Sequence, residues 1–233
     1  LYLFAAEAYG LEQYSNLIHS PNDPYVSQLI FTKYVFPDHW QKKKQEIKEF
    51  YEESIQSVME KTIDLPFNEY EEKTDSFISN IMDGIDWDGY DLIGFSLNYG
   101  QILPSLAVAK QIKEKNPEKR IVLGGSSTLG NLGKRFINQF DYIDYVISGE
   151  GEIALANLAK NNTFDQTINN VLSKNKDTCI DTTSNSCVDL NSLPFLDFSS
   201  FYQQLSMSSP EIQQYFSLNG RIPIELSRGC WWN

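Results

Sequence analysis

Asp91-Leu92-Ile93-Gly94-Phe95-Ser96-Leu97 is a short apolar run that ends at Asn98-Tyr99-Gly100. A run of this length, bounded by turn residues and carrying no charge inside, suits a buried parallel strand meeting a loop. The next segment changes period. From Ile102 to Lys115, Leu103, Leu106, Ala107, Ala109 and Ile112 recur at helical steps until Asn116-Pro117 closes the segment. The unit then recurs. Arg120-Ile121-Val122-Leu123 reads as a strand, Gly124-Gly125-Ser126-Ser127 as a turn and Leu129 to Phe140 as a helix. Tyr142 to Ile147 reads as a third strand, Ser148-Gly149-Glu150-Gly151-Glu152 as a turn and Ile153 to Lys160 as a helix. Three strand-turn-helix units in succession predict an α/β fold with a Rossmann-like, doubly wound parallel sheet and right-handed crossovers.

Outward from this region the grammar differs on each side. Residues 1–85 read as a helical region, with Phe4, Ala8, Leu11 and Tyr14 at three- and four-residue steps. A break comes at Ser20-Pro21-Asn22-Asp23-Pro24, and a second helix is expected from Asp23 or Pro24, where an acidic cap and a first-turn proline suit unpaired N–H groups. After Pro37-Asp38, residues 39–61 carry a stripe of Trp40, Ile47, Phe50, Tyr51, Ile55 and Val58. Such a stripe is the core face of a helix before it is a binding surface. Downstream, Val171-Leu172 and Thr178-Cys179-Ile180 are expected to form a small hairpin. Leu190 to Asp197 reads as an extended linker, since the residue before Pro194 avoids the helical region. The expected organisation is therefore a helical region over 1–85, an α/β domain over 86–189, a linker over 190–220 and the first strand of a further domain from 221 to 233.

Composition limits the functions. The hydrophobic share of 41% is ordinary for a globular chain and supplies one large core. A formal net charge of -12 argues against a nucleic-acid partner, whose phosphates are bound by clustered Lys and Arg. The one basic run, Lys42-Lys43-Lys44, is followed by Glu46 and Glu49 and reads as a solvated helix face. No apolar stretch approaches the ~20 residues that span a bilayer, so no membrane partner is expected, and a cytoplasmic location is. Three cysteines, Cys179, Cys187 and Cys230, are too few and odd in number for a secreted disulfide scaffold. The chain reads as a fragment, starting in apolar residues without an initiating methionine and stopping at Asn233.

In an open parallel sheet, ligands bind beyond the carboxyl ends of the strands. The three glycine-bearing turns, residues 96–101, 124–127 and 149–152, all fall at that edge. Glycine lets a flat ligand approach the backbone, while serine and asparagine hydrogen-bond without charge. Neither a Walker loop nor Gly-x-Gly-x-x-Gly is present. Glu150 and Glu152 at a helix start would satisfy the helix dipole and repel a phosphate. A large ligand, mostly neutral where it meets this turn, is expected.

Taken in order, Ser96-Leu97-Asn98-Tyr99-Gly100-Gln101-Ile102-Leu103-Pro104-Ser105-Leu106, Val122-Leu123-Gly124-Gly125 and Val146-Ile147-Ser148-Gly149-Glu150-Gly151-Glu152 resemble the cobalamin-binding domain of cobalamin-dependent radical S-adenosylmethionine enzymes. Leu193-Pro194 to Phe201 looks like their interdomain linker. Ile224-Glu225-Leu226-Ser227-Arg228-Gly229-Cys230-Trp231-Trp232 looks like the entry to their catalytic barrel. The resemblance spans residues 86–233, with a looser likeness upstream, and is closest to the branch that matures ribosomally synthesised peptides.

The resemblance implies three cofactors: cobalamin, a 4Fe-4S cluster and S-adenosylmethionine. In that family a Cys-x-x-x-Cys-x-x-Cys loop holds the cluster, with thiolates as suitably soft ligands, and Cys230 would be the first of the three. The cobalamin residues it implies are Ser96, Asn98, Tyr99, Gly100, Gln101, Pro104, Gly124, Gly125, Ser126, Gly149, Glu150, Gly151 and Glu152. Tyr99 and Gln101 are the candidates for the lower face of the ring. His19 and His39 lie outside any Asp-x-His-x-x-Gly motif, so the family's binding mode without a histidine under the cobalt is implied. The implied activity is C-methylation of a peptide or small-molecule substrate. A corrinoid module without radical chemistry, and a radical enzyme that does not methylate, remain the alternatives.

Overall fold

The computed structural model describes residues 2–18, 26–56, 65–160, 168–175, 178–181 and 188–221. The expected break at Ser20–Pro24 and helix start at Asp23 or Pro24 lie outside these residues, as do His19, Cys187, Cys230 and the barrel-entry segment.

The helical region comprises α1 (Tyr2–Tyr9), α2 (Leu11–Ile18), a 3-10 turn over Val26–Phe31, α3 (Thr32–Val35), α4 (Pro37–Gln56) and α5 (Phe67–Gly84). Then come β1 (Leu92–Ser96), α6 (Ile102–Lys115), β2 (Arg120–Gly124), α7 (Asn131–Gln139), β3 (Tyr145–Ile147), α8 (Glu152–Lys160), β4 (Val171–Asn175), β5 (Thr178–Asp181), α9 (Ser199–Ser206) and α10 (Pro210–Asn219). The alternation of strand and helix is thus the one its periodicity predicts. β3 is shorter than expected because its first residues serve the preceding turn: Ile143 N–H donates to the Phe140 carbonyl at 3.2 Å.

The five strands form one sheet in the order β1-β2-β3-β4-β5. β1, β2 and β3 are parallel, with Phe95 opposite Leu123 and Leu123 opposite Val146. β4 pairs antiparallel with β3 and β5 antiparallel with β4, so the expected hairpin forms and extends the sheet. The fold is α/β and compatible with a Rossmann-like sheet, with two departures from a purely parallel, doubly wound one. Strand order never reverses among the described strands. The sheet is also mixed, because the pairing of Ile147 with Val171 starts β4 beside the end of β3 and sends it back the other way.

Period-two alternation sorts the strand side chains between two faces. Ile93, Phe95, Ile121, Leu123 and Val146 point to a large cluster with Leu106 and Ile112 of α6 and Ile137 of α7. The same cluster runs into the helical region through Ile30, Phe31, Trp40, Tyr51, Tyr70 and Phe77, so those helices and the sheet share one core. Trp40 and Tyr51 are buried here, as the stripe on α4 implies, while Phe50 is exposed. On the opposite face Val122, Tyr145, Ile147 and Val171 meet Ala154 and Leu158 of α8. The stretch 190–220 holds α9 and α10. Ile212 of α10 is buried against Leu3, Ala6 and Leu11.

No described helix is long and apolar enough to cross a membrane.

Candidate functional site

The three glycine-bearing turns do converge, and hydrogen bonds lace them in series. Leu97 N–H donates to the Gly124 carbonyl at 2.7 Å, and Ser127 N–H donates to the Leu97 carbonyl at 3.1 Å. The turn after β2 therefore holds both backbone groups of Leu97. This nesting requires glycine at 125, where φ is +95° and a Cβ would sit 2.7 Å from both the nitrogen and the oxygen of Leu97. Ser126 Oγ donates to Asn98 Oδ1 at 2.7 Å, a second tie between the same two turns.

The link to the third turn runs through Thr128 and Ser148. The buried Thr128 hydroxyl lies 2.6 Å from the Ile147 carbonyl oxygen and 2.8 Å from that of Gly125. Gly130 N–H donates to Ser148 Oγ at 3.0 Å, and Ser148 N–H to the Asn170 carbonyl at 2.9 Å. Gly149 takes φ +112°. Glu150 receives the Val188 N–H on its carboxylate, and Glu152 begins α8, in the first turn where a negative charge complements the helix dipole.

These ties frame an open groove of about 690 Å³ at the carboxyl ends of β1–β3, on the face that carries α8. Its floor is Gly94, Ser96, Val122, Gly124 and Ile147, and its walls include Leu129, Leu155 and residues 149–152. The charged residues on its lining are Glu150 and Glu152, both acidic. Gly94 and Gly124 keep the floor low: a Cβ at either would find nothing closer than Val122 Cγ1 at 3.5 Å or Ile147 Cβ at 3.9 Å. Below the groove, burial pushes the Tyr145 phenol up to about 12, with Asp144 adding to the shift and Arg120 opposing it. That phenol stays neutral at physiological pH.

Of the sequence-predicted residues, Ser96, Gly124, Gly125, Ser126, Gly149, Glu150, Gly151 and Glu152 line this groove. Asn98 stands behind it, bonded to Ser126. Tyr99, Gly100 and Gln101 form a 3-10 turn beyond the end of β1, with the Tyr99 ring exposed, and Pro104 lies half-buried in the first turn of α6. Cys230 lies outside the described residues. Among the described residues no group of three His, Cys, Asp or Glu side chains could hold a metal ion. His39 sits on α4 beside a separate small depression with Leu29 and Phe50.

Gly94, Phe95, Val122, Leu129, Ile147 and Leu155 also line the groove and were not expected there. Gly94 carried a usable signal, since glycine inside a strand marks close approach of another group. Leu129 and Leu155 carried none: each is a helical-pattern leucine whose exposure only the fold reveals. Also unforeseen was Gln28, in the 3-10 turn of the helical region. Its side chain is buried, donates from Nε2 to the Tyr99 carbonyl at 2.6 Å, and accepts the Leu103 N–H on Oε1 at 3.1 Å.

A scan against models of known protein families, a search of curated proteins and a search of solved structures each returned no match to this chain.

Proposed function

We propose that this chain is the cobalamin-binding portion of a radical S-adenosylmethionine enzyme, a C-methyltransferase acting on a ribosomally made peptide. The observation that carries the reading is the glycine-floored groove framed by three interlaced turns at the carboxyl edge of the sheet. The residues fit the group. Gly94 and Gly124 let a broad ring lie close to backbone, and Val122, Ile147, Leu129 and Leu155 offer it apolar contact. Ser96 and Ser126 can hydrogen-bond the neutral amide side chains at the rim of a corrin, and Glu150 and Glu152 can accept from their N–H groups. The same carboxylates disfavour a phosphate, which separates this groove from a nucleotide site of similar topology.

Cobalamin, when bound, supplies a cobalt atom that can carry a methyl group. Cys230 is proposed as the first thiolate of the cluster that binds S-adenosylmethionine, a role suited to soft sulfur. The part of the work assigned to the described residues is to hold the ring at the open carboxyl edge of the sheet.

The test is anaerobic titration of the protein with hydroxocobalamin, followed by visible absorption. A saturable spectral shift is expected. Spectra that remain the sum of protein and free cobalamin at every ratio contradict the proposal.

A further inference from the structure

We propose that Gln28 is a positioning residue for this site, acting from the helical region on the loop after β1. The inference rests on the cobalamin reading for what the loop meets, and on hydrogen bonds alone for how the loop is held.

The end of the loop that leads into α6 has no side-chain cap from its own residues. Asn98 precedes its 3-10 turn and Gln101 ends it, and neither side chain caps the helical turn that follows it. Within the loop, Gln101 N–H donates to the Asn98 carbonyl at 2.9 Å. At the start of α6 the first N–H groups have no intrahelical acceptor, and Leu103 contributes one of them. Gln28 Oε1 accepts it, which makes a residue 75 positions upstream the cap of this helix. The same amide donates to the Tyr99 carbonyl, 71 positions away. One planar group thus fixes both ends of the segment that presents Tyr99 and Gln101. The Gln28 side chain is rigid for this purpose, being 2% exposed, on a turn whose neighbours Ile30 and Phe31 belong to the core shared with the sheet. A buried amide that bonds one loop through both its donor and its acceptor couples the position of the helical region to that loop.

Two substitutions test this. Gln28→Met keeps length and removes both hydrogen bonds. Gln28→Glu keeps the acceptor for Leu103 but sets a carboxylate oxygen against the Tyr99 carbonyl. Each variant is compared with wild type by thermal unfolding, by residue-resolved amide hydrogen exchange and by hydroxocobalamin titration well below the unfolding midpoint. The expected result is Leu103 exchange faster by roughly tenfold in Gln28→Met and near wild type in Gln28→Glu, with cobalamin affinity weakened about tenfold in both. An altered visible spectrum of the bound cobalamin is expected as well. Unchanged affinity and spectrum, whether or not exchange or the midpoint moves, would overturn the positioning role and leave the cobalamin reading standing. If wild type itself binds no cobalamin, the cobalamin reading fails separately, and unchanged Leu103 exchange in Gln28→Met then removes the capping role too.

Discussion

The two faces of the sheet are built from the same strands and treated differently. On one face Ile121, Leu123 and Val146 are fully buried beneath α6, α7 and the helices of the N-terminal region. On the other, α8 covers Tyr145, Ile147 and Val171, while Gly94 and Ser96 of β1 stay exposed. The residue types match: buried Ile93 and Phe95 alternate with exposed Gly94 and Ser96 along β1. The covered face carries stability, and the uncovered one leaves room for a ligand. Substitutions on the two faces should therefore separate stability from binding.

The largest effect is expected where the faces meet, at Gly125. Alanine there combines a positive φ with a Cβ 2.7 Å from two backbone atoms of Leu97. Gly125→Ala should lower unfolding free energy by more than about 3 kcal/mol, read from the urea midpoint, because backbone rather than a pliable side chain must give way. On the covered face, Leu123→Ala should cost about 2–5 kcal/mol through lost burial and the cavity left behind. On the open face, Leu155→Ala should cost less than about 1 kcal/mol, since its side chain is exposed already. Equal losses at Leu123 and Leu155 would erase the distinction between the faces.

Alkaline pH probes the covered face in another way. Burial raises the phenols of Tyr9, Tyr51 and Tyr70 above the ordinary value of 10.0, with neighbouring tyrosines and carboxylates adding to it. The unfolded chain then loses these protons first, so the native state holds more protons and stability falls as pH rises above about 10. Below that pH these groups should leave stability flat. Chemical denaturation across the range from neutral to alkaline would reveal the fall, and Tyr51→Phe should make it shallower. A smaller effect belongs to Tyr9, whose hydroxyl pairs with Thr74 at 2.6 Å while Thr74 also donates to the Tyr70 carbonyl. Tyr9→Phe should cost about 1 kcal/mol at neutral pH, one buried hydrogen bond.

Much of this was legible in the sequence, and the reason is local. β1, β2, α6 and α8 announce themselves through a change of period at glycine turns, and the turns fall at the carboxyl edge by topology alone. What was not legible depends on partners distant in the chain. The antiparallel return of β4 arises from where it begins relative to β3, a matter of register across a connection. α10 is held by Ile212 against α1, some two hundred residues earlier, and nothing in the pattern around Pro210 encodes that partner. Gln28 looks like an ordinary polar residue between Ser27 and Leu29 until Tyr99 and Leu103 are seen to close on it. At the site, glycines and serines could be read ahead, because their chemistry is local, whereas the leucines that wall the groove could not.

Cobalamin binding in the groove is tested most directly by a side-by-side anaerobic titration of wild type and Gly124→Leu with hydroxocobalamin. Leucine at 124 fills the floor of the groove without a positive φ to strain, where a Cβ meets only Ile147 at 3.9 Å. A saturable visible shift is expected for wild type, and binding at least about tenfold weaker for the folded variant. Equal titrations, or no shift in wild type, would contradict the assignment.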